Sequence, residues 1–198
     1  MNPQIKARIF AEVSKLMASV GYSVIPPKLS KQATATHGLK RNGLMLVSLQ
    51  NDVYLMIYIY EWHVPESLKC VIGWAPKPIL PAPLCAGQRA SVDGVEFGEK
   101  SLSVELFNLV DNIGEPLATY RAEQEGWFLI PPEQFDFSLT EEGFRKSLEA
   151  QMVAISKMMQ LDFSSAEAQG LAMVLAGRIS TDLKTLAVPY LLRAASAQ

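Results

Sequence analysis

The sequence predicts an α+β fold: an antiparallel sheet packed against helices, a helix–sheet–helix sandwich with extra C-terminal helices. Three observations carry this. Two alternating apolar runs, LMLVSLQ and VYLMIYIYEW, flank Asn51-Asp52 and read as a hairpin. Apolar residues recur at helical spacing over 3–20 and 138–159, on either side of a strand-rich middle. The tail, residues 164–198, is rich in Ala and Leu, sparsely charged, and carries helix-start signals. Residues 1–162 therefore read as the sandwich domain, and 163–198 as a helical extension packed on it.

In the first helix, Asn2 is the expected N-cap and Pro3 the first helical residue. Ile5, Ile9, Val13, Leu16 and Val20 form its apolar stripe, and Gly21 ends it. Residues 26–42 carry four basic residues and His37 without an acid, a pattern that reads as a solvated loop. The hairpin predicts its own pairing: Gln50 opposite Val53, Leu49 opposite Tyr54, Val47 opposite Met56, Met45 opposite Tyr58. Because successive strand residues point to opposite faces, Val53, Leu55, Ile57 and Ile59 share one face. Tyr54, Met56, Tyr58, Tyr60 and Trp62 share the other. Both faces are apolar enough to be covered, which places the hairpin centrally in the sheet.

Residues 68–74 predict a third strand. Pro76, Pro78, Pro81 and Pro83 then make a connector, since proline donates nothing to a strand ladder. Asp93-Gly94 signals a small ribbon. Residues 102–112 fit either period, and the helical one is preferred, with Ser101 as cap and Gly114 as stop. Residues 117–130 read as two short strands. The helix over 138–159 has a capping box at Ser138 and Glu141 and a stripe of Phe144, Leu148, Met152, Ile155 and Met159. In the tail, Ser164 and Glu167 form a second capping box ahead of Leu171, Val174 and Leu175. Ser180 or Thr181 starts a last helix, kinked by Pro189.

Charge narrows the function classes. Residues 93–142 hold twelve acids against Lys100 and Arg121, whereas 1–50 hold seven basic residues against Glu12. An acidic surface disfavours nucleic acid and suits basic partners or the basic half of a second copy. The tail could be spaced as a helix-turn-helix but lacks the basic excess that phosphate contacts need. No uncharged run is long enough to span a bilayer, and no leader is evident. Two cysteines, Cys70 and Cys85, fit a reducing compartment, so the expectation is a cytoplasmic chain without membrane.

Recognisable catalytic chemistry is sparse. Dinucleotide, Walker and nucleophile-elbow motifs are missing. Glu61 and His63, with His37, make a conceivable metal set, but the simpler reading is an exposed strand end, so no metal or cofactor is assigned. Asp111 and Glu115 read as a solvated helix end, and Cys70 as inert core.

The element order is helix, antiparallel strands, helix, two strands, helix. Within FNLVDNIGEPLATYRAEQEGWFLIPPEQFDFSLTEEGFRKSLEAQM, residues 107–152, Asn108 and Asn112 are spaced along a helix. Two strands follow, then a Thr140-Glu141-Glu142 helix start. In this the chain resembles the YbjN-like family of bacterial sensory-transduction regulators, and also the type III secretion chaperones. The opening helix ending in Gly21-Tyr22 resembles that family's first helix. The proline connector and the tail depart from the pattern. The resemblance implies a non-enzymatic, often dimeric, protein-binding fold, with no catalytic residues to carry over.

The expectation is a chaperone- or adaptor-like protein-binding module, self-associating as a homodimer and able to take a protein or peptide partner. Tyr54, Met56, Tyr58, Tyr60 and Trp62 would be its binding face, while helices over 3–20 and 138–159 cover the aliphatic face. The plainer alternative has the tail covering the aromatic face. A small-molecule module would use that face as a pocket wall, and an enzyme would draw on Glu61, His63 and Cys70.

Overall fold

A computed structural model describes residues 1–25, 43–62, 66–81, 90–91, 100–110, 117, 126–131 and 140–198. The first helix, α1, spans Pro3–Ala18, and the Asn2 side chain accepts hydrogen bonds from the Gln4 and Ile5 N–H groups at 3.0 and 3.4 Å. It closes in a Schellman turn. Gly21 takes φ +85°, its N–H reaches the Ala18 carbonyl, and the Tyr22 N–H reaches that of Met17. Ile5, Ile9, Val13 and Met17 are buried, so Met17 takes the place in the stripe that Leu16 and Val20 were expected to hold.

The sheet is antiparallel throughout. Its order is β1 (Ser23–Val24), β2 (Leu44–Gln50), β3 (Val53–Glu61), β4 (Ser67–Ala75) and β6 (Leu102–Glu105), with β8 (Trp127–Phe128) also on β4. β5 (Ala90–Ser91) and β7 (Leu109–Val110) form a separate parallel pair. Asn51 and Asp52 turn the hairpin at φ 49° and 63°, the left-handed pair a tight turn requires. The resulting register pairs Gln50 with Val53, Leu49 with Tyr54, Val47 with Met56 and Met45 with Tyr58, as the alternation predicts. The Asp93-Gly94 ribbon signal lies outside the described residues.

The described part of the expected 102–112 helix, Leu102–Val110, is not α-helical, and 111–112 lie outside the described residues. β6 runs from Leu102, and a 3₁₀ turn over Leu106–Asn108 leads into β7. Every residue of β4 is buried, so its outer backbone groups need partners, and β6 supplies them from Leu102 to Glu105. That demand overrides the helical spacing.

The aliphatic face builds the main core. Leu44, Leu46, Leu55, Ile57 and Ile59 lie there, with Cys70, Ile72 and Trp74 from β4. The helices covering it are α1 and the tail. The tail helix α3 (Ala166–Asp182) contributes Ala168, Ala172, Leu175, Ala176 and Ile179. It runs through a π-helical turn, Leu183–Ala187, into α4 (Val188–Ser196). Ser180 is thus inside a helix and starts none. Pro189 is accommodated because the wider turn just before it absorbs the missing N–H. From α4, Tyr190 sets its ring 6.0 Å from that of Trp74. Lys184 Nζ reaches Ser19 Oγ at 3.2 Å, tying the tail to the end of α1. No described helix is long and apolar enough to cross a membrane.

The remaining helix, α2, spans Glu141–Gln160. Its cap is Thr140, whose Oγ1 accepts from the Gly143 N–H at 3.1 Å, in place of the expected Ser138. Likewise Ser165 caps α3, through the Ala168 N–H, while Ser164 turns to the Asp162 carboxylate. None of α2's described side chains enters the main core, contrary to the expected packing of this helix on the aliphatic face.

Two glycines test this packing with opposite signs. A methyl at Gly73 would stand 2.6 Å from the Leu102 carbonyl oxygen and 2.7 Å from Ser103 Cβ, between β4 and β6. Gly170, in α3, has nothing within 4 Å. Denaturant titration should show Gly73→Ala destabilised by about 1–3 kcal/mol and Gly170→Ala stabilised by about 0.5–1 kcal/mol.

Candidate functional site

The aromatic face of β3 lies opposite α1 and the tail helices. Its middle is a second core: Ile25, Met45, Met56, Tyr58, Val71, Ala75 and Leu80 pack together, and Met56 and Tyr58 are wholly buried. Tyr54, Tyr60 and Trp62 remain half-buried at its rim. The expected binding face is therefore split into an enclosed centre and a partly open edge, because Ile25 after β1 and Leu80 of the proline connector pack against the centre. The tail lies on the aliphatic face, not here.

At the rim, cross-strand register assembles a polar cluster. Tyr60 sits opposite Lys69, and Val71 opposite Glu105. Lys69, itself buried, places Nζ 3.5 Å from Glu105 Oε2 and 4.4 Å from the centre of the Trp62 ring. The Tyr60 hydroxyl donates to Glu105 Oε1 at 3.2 Å, and its ring stacks on that of Tyr58 at 5.7 Å. Trp62 meets Phe128 edge-on at 6.2 Å. A buried ammonium needs both an opposing charge and polarisable neighbours, and this arrangement gives it a carboxylate and an aromatic face. Burial raises the Tyr60 phenol, and the Glu105 carboxylate adds to the rise. Burial also pushes Tyr58 up to about 12, a backbone hydrogen bond at Gly43 working the other way.

The other chemical candidates are placed as follows. Glu61 ends the aliphatic face and holds Lys6 Nζ at 2.9 Å. Burial works to raise its carboxyl, but Lys6 and the amino-terminal charge prevail and hold it below the usual carboxylate range. Glu66 accepts the Asn2 N–H at 3.0 Å. These carboxylates dock α1 onto the β3–β4 end of the sheet. His37 and His63, like Asp111 and Glu115, lie outside the described residues. Among the described residues no three His, Cys, Asp or Glu converge as metal ligands. Cys70 is wholly buried, and that burial first, then Glu105, pushes its thiol well up, which disfavours the nucleophilic thiolate. Beside the second core, Ala75, Pro76, Lys77, Ile79, Leu80, Pro81 and Ser101 line a hollow of about 310 Å³.

Among the described residues the largest exposed apolar feature lies on α2. Phe144 is 71% exposed, Leu148 50%, Met152 60% and Met159 84%, and Ile155 is half-buried between them. The helix instead buries Gly143, Ala154 and Met158, on a face rotated by about a third of a turn from the stripe. So the stripe exists as the spacing predicts and lies open. Its flanks are paired within the helix, Lys146 with Glu142 at 2.9 Å and Arg145 with Glu149 at 3.8 Å.

No family model, curated protein or solved structure matches the chain.

Two measurements test the rim. A double-mutant cycle on Lys69→Met and Glu105→Gln should give a coupling of about 1–3 kcal/mol, against less than about 1 kcal/mol for a surface pair. Tyr58 favours its neutral form in the fold, so the stability it contributes is full below pH 10 and is lost as pH rises through about 12. Tyrosinate absorbance and unfolding followed together should show late ionisation coupled to unfolding, with a shallower loss across that window in Tyr58→Phe.

Proposed function

We propose that the chain is a protein-binding module of adaptor or chaperone type, acting without chemistry of its own, and that it joins a second copy of itself along α2. The observation that carries this is the open stripe of Phe144, Leu148, Met152 and Met159. Contiguous exposed apolar side chains of this size mark contact surfaces in water. An apolar stripe on one face of a helix is also the form in which helices recognise other helices.

Charge favours a second copy as the occupant. The six charged residues of α2 are Glu141, Glu142 and Glu149 against Arg145, Lys146 and Lys157, a sum of zero. Two identical helices meet without net repulsion, and the flank pairs already satisfy each other. An antiparallel arrangement also sets the acidic first turn of one helix toward the basic last turn of the other and opposes their dipoles. The half-buried Tyr54, Tyr60 and Trp62 are left for a further protein or peptide, since such side chains offer an apolar body and a polar tip. A cytoplasmic setting suits the free, buried Cys70.

Light scattering over a concentration series tests the reading. The full chain should have the mass of a dimer, and Leu148→Glu/Met152→Glu should weaken association at least about a hundredfold with an unchanged circular dichroism spectrum. A full chain that stays monomeric throughout, or a charged variant that stays dimeric, sinks it.

A further inference from the structure

Two of the exposed positions on α2 are methionines, whereas four of the six other methionines among the described residues are buried. Met17, Met45, Met56 and Met158 are buried, the last at 6% exposure beside Met159 at 84%. Met173 is 37% exposed but lies on α3. Neighbouring residues 158 and 159 thus present one thioether to the interior and one to solvent. Leucine has about the same helix propensity and apolarity, so shape alone does not require sulfur here.

We infer that Met152 and Met159 are oxidation sites that switch the α2 surface off. This rests on the self-association reading above. The oxidant is hydrogen peroxide. A sulfur lone pair attacks one peroxide oxygen, the O–O bond breaks, and the departing oxygen leaves as water after proton transfer from the oxygen now on sulfur. Sulfur loses two electrons to become the sulfoxide, and the peroxide gains them. The product carries a strong hydrogen-bond acceptor in the middle and at the end of a stripe whose partner is apolar. Burying that acceptor against hydrocarbon without a donor is unfavourable. With two sulfoxides on each helix, a dimer would bury four. Association should weaken at least about a hundredfold. The main core is spared, because Met17 is screened from the oxidant by burial, and Met158 is screened likewise on the covered side of α2.

The experiment treats the full chain with graded hydrogen peroxide, locates sulfoxides by peptide mass mapping, and measures mass by light scattering on the same samples. A Met152→Leu/Met159→Leu variant is run in parallel. Expected is dissociation of the untreated dimer at the dose that converts Met152 and Met159 and leaves Met17, Met45, Met56 and Met158 intact, while the leucine variant stays dimeric at that dose. A dimer that persists with both residues converted overturns the inference and leaves the self-association reading standing. So does a leucine variant that dissociates alongside the wild type, since the switch would then lie elsewhere. An untreated chain that is already monomeric removes the reading itself, and the inference with it.

Discussion

At Asn51 and Asp52 the backbone takes two consecutive left-handed residues, and that turn holds β2 and β3 in a single pairing. A slip of one residue would carry every side chain of a strand to the opposite face. The consequences spread outward from the turn. Ile57 and Ile59 meet helices only because the register sends them there, and Tyr58 between them enters the second core for the same reason. β4 inherits the arrangement through its pairing with β3, which puts Lys69 on the aromatic side and Cys70 on the aliphatic side. The charged rim cluster is thus a product of the same turn, two strands away.

The two faces are closed by different means. On the aliphatic side α1 and α3 bring small and branched side chains against the sheet, and alanines at four-residue spacing let α3 lie close. On the aromatic side Leu80 contacts the second core from a connector rich in proline, and Ser103 fastens that connector by donating to the Pro81 carbonyl at 2.8 Å. Proline has little conformational freedom to lose, so such a segment is held at lower entropic cost than an ordinary loop. The helix α2 differs from both, presenting Phe144, Leu148, Met152 and Met159 outward and burying Gly143, Ala154 and Met158.

Much of this could be read from the sequence, and the misreadings have specific causes. The hairpin and its pairing were legible because a two-residue period and a turn pair leave few alternatives. The helix over 141–160 was legible as a helix, but its orientation was not. Periodicity says which side of a helix is apolar, not what covers it, and here Gly143 and Ala154 face inward while Phe144 does not. The spacing of residues 102–112 favours a helix, and Leu102–Val110 form strands and a turn instead, because the unpaired edge of β4 cannot be seen along the chain. Both tail and α2 caps shifted by one or two residues within Ser/Thr clusters, where several side chains can cap equally well. The rim cluster was missed altogether. Its one available signal was Lys69 inside an otherwise apolar strand, a charge that has to find a partner.

The aliphatic face of the sheet is finished by side chains from the far end of the sequence, with Tyr190 beside Trp74 and Leu191 in the same core. A ribosome adding roughly 5–20 residues per second would expose strands β2 to β4 roughly ten seconds before α4 emerges. Through that interval an edge-bearing sheet stands in water with its aliphatic face covered by α1 alone, the kind of intermediate prone to stick to its neighbours. The order in which the chain is made thus sets a window of exposure that the finished fold does not have.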